Sequence, residues 1–149
     1  MICERASERG CVGFYRAESQ DGVDFRDVTA EPVFVAAAAG SWECQISTAR
    51  LFVSVHNAYM IYGGSPGKID QPEYFGLARS RDLVEWERHP GNPVLGCGAR
   101  GSEDGGAIWF PDLIESDDRF YLLYEGSRGD YAWDLSSQIC LASIGVTHP

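Results

Sequence analysis

An all-β fold of antiparallel, four-stranded propeller-blade repeats is what this sequence predicts, on three observations. Residues 108–127 read as two strands, rich in aromatic and β-branched side chains, around the turn-forming Ser116-Asp117-Asp118. Residues 46–65 follow the same plan 62 residues earlier: Tyr62-Gly63-Gly64-Ser65 falls on Tyr124-Glu125-Gly126-Ser127, Ile46 on Ile108, Leu51 on Leu113 and Tyr59 on Tyr121. A second phrase recurs at an offset of 61, with Ser80, Asp82, Val84, Trp86, Pro93 and Leu95 falling on Ser19, Asp21, Val23, Phe25, Pro32 and Phe34. Self-similarity at a fixed period, all of it in strand-like text, is the mark of a repeat architecture, and about four short strands per unit is one propeller blade.

Taken in order, residues 1–10 are polar and read as a flexible lead-in, and residues 11–149 as a single propeller-like domain. Residues 12–16 form a strand, Gln20-Asp21-Gly22 a tight turn, and residues 23–28 a second strand. Ala36 to Gly40 is an Ala-rich connector, too short and uncapped for a helix. The hairpin of 46–65 and the phrase of 74–95 then make one whole unit, over about 41–95. The hairpin of 108–127 opens the next (about 103–149), which closes with residues 139–142 matching 75–78; the opening unit, about 11–35, is also partial. That is roughly nine strands, just over two blades, where a closed ring takes about four to eight.

Composition narrows the function classes. With 149 residues, 44% of them apolar, the chain is long enough for one core, and its 17 glycines and many aromatics suit turn-rich β structure. A net charge of −10 repels phosphate backbones and argues against nucleic acid as a partner. The five cysteines are scattered, odd in number and in no CxxC pair, which fits a reduced, cytoplasmic setting. Neither a signal-like apolar segment nor a bilayer-length run is present, so no membrane association is expected. His56, His89 and His148 lack metal-ligand spacing, the Gly96–Gly106 loop lacks a phosphate-loop ending, and no organic cofactor or metal is called for.

Three phrases carry a resemblance to a known family. They are Ser19-Gln20-Asp21-Gly22-Val23-Asp24-Phe25 to Pro32-Val33-Phe34, with its copy Ser80 to Leu95; Gly76-Leu77-Ala78-Arg79-Ser80; and Trp109-Phe110-Pro111-Asp112-Leu113-Ile114 to Tyr124-Glu125-Gly126-Ser127. The pattern resembles the five-bladed propeller superfamily of glycoside hydrolase families 43, 32, 62, 68 and 130. The resemblance implies about half of a five-bladed ring, a carbohydrate ligand, and carboxylates from innermost strands at a channel mouth. Glycosidic cleavage needs one carboxylic acid to protonate the leaving oxygen and a second carboxylate as base or nucleophile.

By that resemblance Asp112, after Pro111 on the presumed inner strand, positions sugar or tunes the acid; the bland alternative is a strand-end Asp accepting backbone bonds. Its repeat counterpart is Arg50, a candidate ligand contact, so blade geometry does not demand an acid there. By the same resemblance Glu125 is a candidate acid or base; it stands where the other copy has Gly63, and faces either channel or rim. Glu43, Glu103 and Asp104 lie just before inner strands; each is a candidate acid or base, or else a solvated loop carboxylate. Trp42, Trp109, Tyr131 and Trp133 offer flat faces for sugar rings or, for Trp109, core packing. Asp21 and Asp82 align in turns and read as structural, and Trp86 as packing between blades.

Too few strands to close a ring point to a homodimer or higher homo-oligomer, in which residues 23–28 complete a partner's last blade and cover open edges. The function expected is that of a glycosidase-like protein acting on or binding carbohydrate. Its rival is a non-catalytic blade fragment that serves as a glycan-binding or assembly module.

Overall fold

The computed structural model describes residues 1–7, 10–53, 55–116, 119–129 and 137–145. They form three antiparallel sheets, and no helix among them is long and apolar enough to cross a membrane. The first sheet holds β1 (Ile2–Ser7) and β2 (Gly10–Glu18), with the short β3 (Arg26–Asp27) and β4 (Phe34–Val35) both on the far edge of β2. The second runs β5 (Gln45–Val53), β6 (Ala58–Ser65), β7 (Tyr74–Ser80), with β8 (Glu87–Arg88) and β9 (Leu95–Gly96) sharing the outer edge of β7. The third is β10 (Ala107–Ser116), β11 (Arg119–Ser127) and β12 (Gln138–Gly145).

Both hairpins expected from the sequence are present, β5–β6 and β10–β11. Two local expectations need correction. Residues 1–10 are no lead-in: Ile2 to Ser7 pair with β2, Ile2 against Arg16 and Ser7 against Gly10, and the Met1 amino group donates to Ala17 O at 2.8 Å. Residues 23–28 are mostly turn, because Asp21 Oδ1 accepts the N–H groups of Val23 and Asp24 and Ser19 Oγ that of Gly22. Only Arg26 and Asp27 are left as strand, and they pair with Glu18 and Ala17 of their own sheet. That segment is therefore engaged at home and is not free to complete a partner's blade. The copy at Ser80–Glu85 is wired identically through Asp82. The backbone N–H groups of Asp24 and Val23 hold the Asp21 carboxyl at about 2.

The sheets stack face to face through two cores. Phe14 and Phe34 of the first sheet meet Ile46, Met60, Tyr62 and Ala78 of the second. On the opposite face of the second sheet, Ile61 and Phe75 meet Ile108, Leu122 and Tyr124 of the third. The second sheet is thus covered on both sides. The inner strands β5 and β10 lie beside each other, and the candidate site forms between them.

Candidate functional site

Each inner strand breaks register once, and at matching places. In β5 the pairing jumps between Ser47 and Arg50, and in β10 between Trp109 and Asp112. Each bulge holds one non-glycine residue in the left-handed region, Thr48 at φ 50° and Phe110 at φ 49°. That conformation costs an L-residue roughly 1–2 kcal/mol, and bulges concentrate where a strand must re-aim a side chain. Here the residues emerging from the bulges are Arg50 and Asp112. Arg50 Nε donates to Asp112 Oδ1 at 3.3 Å, with side chains 61% and 51% exposed. An ion pair this open contributes about 0–1 kcal/mol, so stability does not explain it. The first sheet reaches the same place: the Thr48 N–H donates to Glu4 Oε2 at 3.0 Å. Strands from all three sheets therefore bring Glu4, Arg50 and Asp112 to one inner surface.

Three of the other candidate carboxylates, Glu43, Asp104 and Glu103, are tied elsewhere, each to its own partner. Glu43 is buried, accepting the Tyr62 hydroxyl at 2.6 Å on Oε2, while Arg88 Nε lies 2.9 Å and 3.0 Å from its two oxygens. The same guanidinium donates to Val35 O and stacks on the Phe34 ring, which makes Glu43 part of a clasp between the first and second sheets. Asp104 repeats half of this plan, its Oδ2 accepting the Tyr124 hydroxyl at 2.7 Å and its Oδ1 the Ser102 hydroxyl at 2.9 Å. Burial, and then the adjoining carboxylate, push both phenols well above their ordinary range. Glu103 forms an exposed ion pair with Arg128. Glu125 is opposed in register by Trp109 and Ile139.

Trp42 and Trp109 are spent on packing. Trp42 stacks on Tyr62 with centroids 5.8 Å apart, and its ring fills a slot floored by Gly64 and Gly76. Trp109 is 7% exposed, and its Nε1 donates to Asp70 O at 3.0 Å. Tyr131 and Trp133 lie outside the described residues.

No protein-family model matches the chain, and no curated protein does. Solved structures do. A protein described as a glycoside hydrolase superposes with TM-score 0.70 at 18% identity over 98% of this chain. A Bombyx mori GH32 beta-fructofuranosidase mutant, solved in complex with sucrose, superposes with TM-score 0.63 at 22% identity over 94% of it. The chain has the fold of the matching part of these proteins. This chain spans 41% of the first of those proteins and 29% of the second.

On the inner-strand surface an exposed cation stands beside an exposed carboxylate, a set that can donate to and accept from neighbouring hydroxyl groups. A separate cavity of about 450 Å³ opens at the loop end between the second and third sheets, lined by Lys68, Glu73, Tyr74, Cys97 and Arg100. Lys68 and Glu73 are paired across 2.8 Å there. Among the described residues no group of three His, Cys, Asp or Glu side chains is placed to hold a metal ion. Sequence reasoning picked out Asp112 and Arg50 but missed Glu4 and the bulge residues Thr48 and Phe110. Glu4 was hidden by a strand too polar to read as one, while Thr48 and Phe110 are ordinary strand formers that give no sign of a left-handed backbone.

Proposed function

We propose that this chain binds carbohydrate on the inner-strand surface centred on Arg50 and Asp112, as the sugar-positioning wall of a glycosidase-like site. The observation that carries this reading is the pair itself, presented by twin bulges and of little value to stability. The likeness to glycoside hydrolases supports carbohydrate as the ligand class. Asp112 accepts hydrogen bonds from sugar hydroxyls and Arg50 donates them. Beside a partner acid, the Asp112 charge would also raise that acid's pKa by like-charge repulsion.

Binding ranks ahead of hydrolysis for a specific reason. Of the four carboxylates proposed from sequence as acid or base, Glu43 is held by Tyr62 and Arg88, Glu103 by Arg128 and Asp104 by Tyr124, which leaves Glu125. Cleavage needs a working pair about 5–5.5 Å or 6.5–9.5 Å apart, and these three point to three different partners. Fold alone carries no activity.

The test is calorimetric titration of the full chain with neutral oligosaccharides, sucrose among them, run alongside release of phenol from aryl glycosides. Asp112→Asn and Arg50→Met are each expected to weaken binding by about tenfold or more, the scale of a lost hydrogen bond to a charged group. Equal affinity in wild type and both variants would place the ligand elsewhere. Phenol release that disappears in Asp112→Asn would move the reading from binding to hydrolysis.

A further inference from the structure

The backbone that aims Arg50 is held from a different sheet. Thr48 stands in the bulge of β5, between the Ser47–Gly63 and Arg50–Ile61 partners, and its N–H turns to the first sheet, donating to Glu4 Oε2 at 3.0 Å. Ala49, the next residue of the bulge, packs with Leu51 against the core shared with the first sheet, while Phe52 packs against the core shared with the third. First-sheet contacts thus fix one side of the bulge. Arg50 leaves from the other, towards Asp112 of β10. A non-glycine residue at a φ of 50°, as Thr48 is, persists where its surroundings over-determine it.

The matching bulge of β10 is braced by other means. There Phe110 is followed by Pro111, whose ring fixes φ, whereas in β5 Thr48 is followed by Ala49, which leaves that freedom open. Nor can the second sheet repeat the contact that the first makes. Glu4 stands opposite Phe14 in register, and opposite Phe75, the counterpart of Phe14 in the repeat, stands Gly63. A Cβ at Gly63 would sit 2.7 Å from Pro72 Cβ and 2.9 Å from Thr48 Oγ1, so no carboxylate can be carried there. One bulge is set by its own proline. The other is set by a carboxylate from the neighbouring sheet.

We propose that Glu4 is a positioning residue for Arg50. By accepting the Thr48 N–H it holds the β5 bulge in the left-handed form that sets the guanidinium against Asp112, and so sets the donor that Arg50 offers to a ligand. The role belongs to the oxygen of Glu4 and not to its charge, since an amide oxygen accepts the same N–H. It concerns aim more than stability, because the contact is exposed and water can replace a lost acceptor. Its consequence for binding rests on the carbohydrate reading; the hold on Arg50 does not.

The experiment is heteronuclear NMR of the isotope-labelled full chain, run beside calorimetric titration with sucrose. The Arg50 Nε–H signal, identified by its loss in Arg50→Met, is expected to move towards that of an unpaired arginine in Asp112→Asn and in Glu4→Ala. In Glu4→Gln it is expected to stay at the wild-type position. Sucrose affinity is expected to fall about threefold to tenfold in Glu4→Ala, to be kept in Glu4→Gln, and to fall no further when Glu4→Ala is added to Arg50→Met. An Arg50 signal that Glu4→Ala leaves in place overturns the proposal. So does one that Glu4→Gln displaces as far as Glu4→Ala does, since charge and not the bulge is then at work. A further loss of affinity in the double variant overturns it too, since Glu4 then touches the sugar itself. If wild type takes up no sucrose, the carbohydrate reading loses that support, and the Arg50 signal alone decides the proposal. Near-UV circular dichroism checks that each variant is folded. If Glu4→Ala is not, Glu4→Asp replaces it, its carboxylate one methylene short of the Thr48 N–H.

Discussion

Tyr62 and Asp112 both hydrogen-bond to a charged side chain, yet their surroundings give them opposite weights. Tyr62 is fully buried, donates to Glu43 and accepts from Asn92 Nδ2 at 3.2 Å. Removing its hydroxyl leaves a carboxylate only 5% exposed with one donor fewer, and a buried group stripped of a partner costs about 1–3 kcal/mol. Tyr62→Phe is therefore expected to lower the unfolding free energy by that amount, read as a lower urea midpoint at unchanged m-value. Asp112→Asn breaks only an open pair, and its unfolding free energy should stay within about 0.5 kcal/mol of wild type. A large loss in Asp112→Asn together with a neutral Tyr62→Phe would reverse the assignment of clasp and site. The contrast matters for function, because a residue that can change without harm to the fold is available to serve a ligand.

At the scale of the element, the second sheet shows how a ring inserted between strands sets what a strand can contain. The Trp42 ring lies over β6 and β7 where a side chain on either would collide with it. A Cβ at Gly64 would sit 2.5 Å from Trp42 Cζ3, and one at Gly76 would sit 2.5 Å from Cη2 and 2.8 Å from Tyr62 Cζ. Gly76→Ala should cost about 1–3 kcal/mol by overpacking, read in urea unfolding. Combined with Trp42→Leu, which empties the slot, it should cost less than the two changes added; strict additivity would count against the slot. The sequence made the hairpins legible because aromatic and β-branched residues flank polar turns, and Asp21 and Asp82 announced their turns. It hid β1, since Ile-Cys-Glu-Arg-Ala-Ser becomes a strand only by pairing with β2. It also hid what Glu43 and Asp104 do. The two acids stand alike, just before inner strands, but nothing in the sequence marks Tyr62 and Tyr124 as the groups they bind. Acids before inner strands read as chemistry, and the buried phenols that bind them emerge only once the sheets stack.

For the whole molecule, several groups that hold the sheets together depend on keeping their protons. Tyr62 lies in the core between the first and second sheets, and Tyr124 and Cys97 in that between the second and third. Burial raises all three: both phenols above their ordinary 10.0, and the Cys97 thiol from 9.0 to about 11. A folded-state pKa above the unfolded one means that the folded form keeps protons which the unfolded chain gives up. The stabilisation is then complete below the unfolded pKa and is lost as pH rises towards the folded one. Stability should accordingly hold up to about pH 9, decline between 9 and 11 as unfolded Cys97 ionises, and fall more steeply past 10 as unfolded Tyr62 and Tyr124 do. Urea midpoints measured across this range test it. In Cys97→Ala the first, shallower part of the decline should shrink to what Cys140, whose thiol burial also raises, contributes, while the steeper part remains. Midpoints that stay level from pH 9 to 11 would mean that these groups ionise as freely in the folded protein as in the unfolded chain, and the two cores would then be more open to water than their packing requires.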